Sequence, residues 1–175
     1  MRHLLPLLRL GPVLALCVAV SGCFVSDAPL IGPDEASFPF ERIVFEVDDR
    51  PGERQVLERD GDAYRLASPD SPDRTALLRL VAAGDGAWVA QMWPPPEAEE
   101  KHIPYLYALL VVGDEGAEVS AYAAMKPNDF VPRDGLAPCD NGVCIGSLEA
   151  YVAYALAQVA AGTPPETVYR IIERE

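Results

Sequence analysis

Basic side chains are scarce in this chain. Lysine and arginine number 14 against 27 aspartates and glutamates, for a formal net charge of -13. Such a surface is repelled by polyphosphate, so no nucleic-acid partner is expected. Histidine is scarcer, at two, and cysteine stops at four. That is too little cysteine for a disulfide scaffold and too little histidine for a zinc site of paired ligands. No G-x-S-x-G elbow and no glycine-rich phosphate loop occurs. The N-terminal apolar run, Leu10 to Val20, is 11 residues long, short of the roughly 20 that cross a bilayer as a helix. Apolar content is not lacking: half of the 175 residues are hydrophobic, which excludes a disordered chain, and the length fits one domain.

The apolar run follows Arg2, His3 and Arg9 and ends in Val20-Ser21-Gly22-Cys23. Residues 1–22 therefore read as a cleaved signal peptide. The last four residues resemble the lipobox of bacterial lipoproteins: a branched apolar residue, two small ones, then cysteine. The small residues admit the peptidase, and the Cys23 thiol is the nucleophile that takes diacylglycerol. A secretory signal with a chance cysteine is the alternative. Each buried acyl CH₂ contributes about 0.8 kcal/mol of membrane affinity, so two or three chains on Cys23 make a durable anchor. The resemblance implies the outer membrane, because Phe24 stands where an aspartate would mark retention in the inner one.

Loss of Arg2 and Arg9 with the signal takes the net charge from -13 to -15. Residues 23–40 read as the lipidated cysteine and a tether, punctuated by Pro29, Gly32, Pro33 and Pro39, with docking of residues 29–33 as the alternative. Residues 41–175 read as one β-rich periplasmic domain. Ile43, Phe45 and Val47 alternate as in a strand. Three hairpins follow, each turning at glycine beside an acid: residues 55–58 with 63–66, 77–81 with 87–93, and 105–112 with 117–125. Residues 126–138 read as loop. Cys139 and Cys144 flank Asn141-Gly142, a strong hairpin signal, and in an oxidising compartment a disulfide is the default. For so short a loop it contributes roughly 2 kcal/mol. Four residues between them do not match a redox C-x-x-C motif.

Ser147 reads as an N-cap. Leu148, Tyr151, Val152, Ala155, Leu156 and Val159 then form one helical stripe, stopped by Gly162 and Pro164. Tyr154 lies off that stripe and reads as exposed. Residues 167–172 favour a closing strand over a helix begun by a capping box at Thr163 to Glu166. The fold class is thus α+β, mainly β: an antiparallel hairpin meander with one late helix packed on the sheet.

Chemistry is sparse. His102, the only histidine outside the signal, sits among prolines and acids and reads as a solvated loop. Asp48-Asp49 and Glu99-Glu100 are adjacent in sequence, and strand neighbours point to opposite faces, so such pairs rarely share a site. The turns at Asp60-Gly61-Asp62 and Gly84-Asp85-Gly86 lack EF-hand spacing. No metal or cofactor is expected. Trp88, Trp93, Tyr105 and Tyr107 are the candidate ligand or partner surface, with Trp88 and Trp93 facing opposite ways. At this level the chain resembles small proteobacterial envelope lipoproteins. The resemblance rests on the lipobox, on Pro29-Leu30-Ile31-Gly32-Pro33 and on Cys144-Ile145-Gly146-Ser147-Leu148, and it implies no activity. The expected function is a non-catalytic, outer-membrane-anchored interaction or structural module with an envelope protein as partner. The alternatives are a binder of a small apolar ligand, made if the meander curls into a barrel, and a hydrolase using carboxylates or His102.

Overall fold

A computed structural model of the chain describes residues 22–68, 71–93, 104–140 and 142–175, with backbone alone for residues 71–74. His102, Glu99, Glu100 and the expected signal through residue 21 lie outside the described residues.

The hairpin signals produce a meander. Strands β1 (Cys23–Ser26), β2 (Arg42–Val47), β3 (Arg50–Asp60), β4 (Ala63–Ser68), β5 (Ser71–Gly84), β6 (Ala87–Trp93), β7 (Tyr105–Val112) and β8 (Glu118–Tyr122) come first. They are followed by β9 (Leu136–Cys139), β10 (Gly142–Ile145), helix α1 (Leu148–Ala160) and β11 (Thr167–Arg174). Each strand from β2 to β8 pairs antiparallel with the next, and β11 pairs with both β8 and β2. The meander therefore closes on itself as an eight-stranded up-and-down barrel, an arrangement that leaves no edge within the ring. Residues 167–172 are strand, the last stave.

Three strands lie outside the ring. β1 runs antiparallel to β7 and parallel to β10, and β10 pairs with β9. Together with α1 they cover the outer face of β6, β7 and β8. A large core forms there from Phe24, Ile31, Val89, Leu109, Leu136, Val143, Tyr151 and Ala155. A second core lines the inside of the barrel. The two faces of β6 and β7 thus feed two cores, in strict alternation.

The tether expected over residues 23–40 is folded instead. Phe24 has 0 % of its surface exposed, Val25 2 % and Ile31 0 %. Three apolar side chains in a proline-rich stretch show no period, yet each finds a site on the barrel wall. Buried Gln91 latches this strap: its Oε1 accepts from Leu30 N at 2.7 Å and Ile31 N at 2.8 Å, and its Nε2 donates to Ile31 O at 3.2 Å. The alternative, docking of residues 29–33, describes that part of the strap.

The disulfide joins Cys139 and Cys144 with their Cα atoms 5.8 Å apart. Gly142, read as part of the turn, is the first residue of β10 and pairs with Cys139. It has φ +133°, and a Cβ there would run into the Cys23 backbone. Glycine is required because β1 passes directly over it. Ser147 caps α1, its Oγ accepting from Ala150 N at 3.3 Å. Tyr154, expected exposed, is buried: its ring packs on Phe24 at 5.2 Å and Phe130 at 5.8 Å, under the guanidinium of Arg133. The strap and the 126–135 loop supply a second surface for the helix, which its own periodicity does not show.

Candidate ligand-binding cavity

Every second residue of the barrel strands points inward. Leu57 stands opposite Ile43, Leu78 opposite Tyr64, Leu110 opposite Trp88, and Ile171 opposite Phe45. These side chains do not meet across the barrel axis. They leave a cavity of about 380 Å³, lined also by Leu66, Leu80, Val112, Val119 and Tyr169. An eight-stranded ring is just wide enough either to be filled by its own side chains or to hold one small ligand.

One end of the cavity is bordered by Pro39, Phe40, Gly86 and Arg174. The strap crosses there: Phe40 stacks on Tyr64 at 4.6 Å, and the Tyr64 hydroxyl donates to Phe40 O at 2.7 Å. Arg59 lies over the Phe38 ring at 4.3 Å and pairs with Glu41 at 3.1 Å. Toward the other end Tyr169 packs edge-on against Phe45 at 5.3 Å, and burial pushes its hydroxyl pKa up. The lining is thus apolar apart from the Tyr169 hydroxyl and one charged group, Arg174. It suits binding of a nonpolar molecule and offers no acid–base pair.

The four aromatic candidates do not share a surface. Trp88 lines the cavity. Trp93 sits on the outer face, 5.9 Å from Tyr105 and 5.1 Å from the Arg79 guanidinium. Tyr107 is buried, its hydroxyl bonded to Ser26 Oγ at 2.8 Å and to Gln91 Oε1 at 2.9 Å. It fastens the strap. The expectation that Trp88 and Trp93 face opposite ways agrees with this placement. The sequence reading missed the aliphatic lining, although the alternation that reveals it runs through Ile43 and Phe45 and again through Leu78 and Leu80.

Four of the acids considered for catalysis or calcium are paired with arginines. Asp48 meets Arg170 at 2.6 Å and Asp49 meets Arg50 at 3.5 Å. Asp60 meets Arg65 at 2.7 Å and Asp62 meets Arg79 at 2.5 Å. A second, smaller hollow of about 270 Å³ lies between β8 and the end of α1, where Glu166 accepts from Met125 N. Cys23 is buried, with its Sγ 3.7 Å from Met125 Sδ. Comparison of the chain with known protein families, with characterised proteins and with solved structures finds no match.

Proposed function

We propose that this protein binds a small apolar molecule inside its barrel, at the bacterial envelope, where a lipid on Cys23 holds it to the outer membrane. The observation that carries the binding reading is the cavity of about 380 Å³ with an almost wholly apolar wall. Its volume lies at the small end of known ligand sites. The lipobox supports the location. With β1 starting at Cys23 there is no free tether, so the barrel would ride close to the bilayer from which an apolar ligand would come.

Trp88 lines the cavity and Trp93 does not, which makes a direct test. A brominated alkanol titrated into the protein is expected to quench Trp88 with saturation. A Trp93→Phe variant keeps the quenching and a Trp88→Phe variant loses it. Across a homologous alkanol series, affinity rises about fourfold per CH₂ until the cavity is full. Equal quenching of both tryptophans, or none, would overturn the reading.

The reading as an interaction or structural module with an envelope partner draws on a different feature. Met125 and Val131 are large apolar side chains exposed by 44 % and 66 %, and Met125 touches Cys23.

A further inference from the structure

The cavity has one charged wall residue, and it is there because of a fault in the strand pairing. Along β11, Tyr169 and Ile171 point into the barrel, so Arg174 should point out. The β11–β2 ladder slips between Ile171 and Glu173: Ile171 faces Phe45, Glu173 faces Val44, and Arg174 faces Ile43. Ile43 is inward, so Arg174 lies on the same face, at the exposed rim of the cavity. The slip passes over Ile172, which is 39 % exposed, and re-aims the arginine two residues further on. Bulges are concentrated at barrel rims and beside functional sites for this effect.

The neighbouring acids do not neutralise it. Glu173 and Glu175 turn to Arg42, at 3.3 and 4.0 Å. Arg174 makes one long hydrogen bond, to Pro39 O at 3.5 Å, and has no ion pair among the described residues. Arg59 and Glu41 also flank this rim around Tyr64, and they pair with each other. The charges named at this rim, Arg42, Arg59 and Arg174 against Glu41, Glu173 and Glu175, balance, and Arg174 is the one arginine of the three without a carboxylate partner among the described residues. Tyr169 and Arg174 both line the cavity, and because of the slip their partners on β2, Val47 and Ile43, are four residues apart, about 14 Å along the strand. Spread over that length, 380 Å³ leaves a cross-section of about 27 Å², room for one hydrocarbon chain.

We propose that the ligand is a single-chain amphiphile with an anionic head, its chain in the barrel and its head on Arg174. This rests on the barrel being a binding site. The head is a carboxylate or a phosphate monoester, both of which a guanidinium fork can grip.

The test titrates the full-length mature protein with dodecanoate, dodecyl phosphate and dodecanol near pH 8. Wild type is expected to bind both anions about five- to tenfold more tightly than the alcohol, the gain of a charged hydrogen bond at a partly exposed rim. The tighter anion identifies the head. Arg174→Gln is expected to bring the anions to the level of the alcohol and leave the alcohol unchanged, with Arg174→Lys between. Dodecanol binding as tightly as the anions in wild type, or Arg174→Gln weakening all three alike, would overturn the head assignment and leave the cavity reading standing. No binding of any of the three would overturn both.

Discussion

Tyr107, a candidate from the sequence, and Gln91, which the sequence did not single out, are both latch residues. Both sit on the outer face of the barrel, where Val89 and Leu109 beside them build the core. Their hydrogen bonds to the strap and to each other satisfy groups whose unpaired burial would cost about 1–3 kcal/mol each. Nothing local in the sequence distinguishes a tyrosine that serves a latch from one that meets a ligand, since the partner atoms lie on a distant segment. Ser147 was legible because its partner, Ala150 N, is three residues away. The buried tyrosines also set a limit at high pH. Burial holds the hydroxyls of Tyr64 and Tyr107 above their ordinary pKa of 10.0, and that of Tyr151 well above it. Unfolding returns them to about 10. Their contribution to stability is then complete below that pH and is lost as pH rises through the raised values. Urea midpoints are expected to start falling above about pH 10, with tyrosinate absorbance appearing together with unfolding. Tyrosinate forming in the folded protein at about pH 10 would contradict the burial.

The strap is where reading elements from the sequence failed most. Periodicity detects a strand that repeats a pattern against one neighbour. β1 has four residues, all buried, between β7 and β10, so it has no polar face to alternate with. The proline-rich residues after β1 resemble a linker because Leu30 and Ile31 are held by the side chains of Gln91 and Tyr107 and not by a strand ladder. Phe24→Ala separates the two views. A tether would lose nothing, whereas the folded strap loses about 3–5 kcal/mol, the usual cost of removing a buried phenyl ring. Denaturant unfolding of the pair decides it. The hairpins from β3 to β8 were readable because each turn places glycine beside an acid. At the first, Gly61 takes φ +64°. The slip in β11 was not readable, since a bulge is set by the fit of β11 to β2, and with it went the inward aim of Arg174.

Over the whole molecule, the mainly β class with a late helix was legible, and closure was not. Turn chemistry fixes which strands are neighbours along the chain, but joining β11 to β2 and β6 to β7 is a matter of sheet curvature, strand number and the apolar lining. The resemblance of residues 20–23 to a lipobox is tested at this scale too. Cys23→Ser in a bacterium with two membranes is expected to move the protein from the membrane fraction to the soluble periplasm, and retention in the membrane would refute the anchor. The order of the staves has a further consequence, for folding. The first stave, β2, has to wait for the last, β11, and between them lie the strands and helix that build the outer core. Ring closure is therefore the contact of greatest sequence separation in the barrel, and such contacts form slowly. Until β11 docks, β2 and β8 present bare edges able to pair with other chains. A substitution that weakens β11 is thus more dangerous to the nascent chain than to the finished one: its first symptom would be aggregation during synthesis, before any loss of melting temperature in the protein that survives.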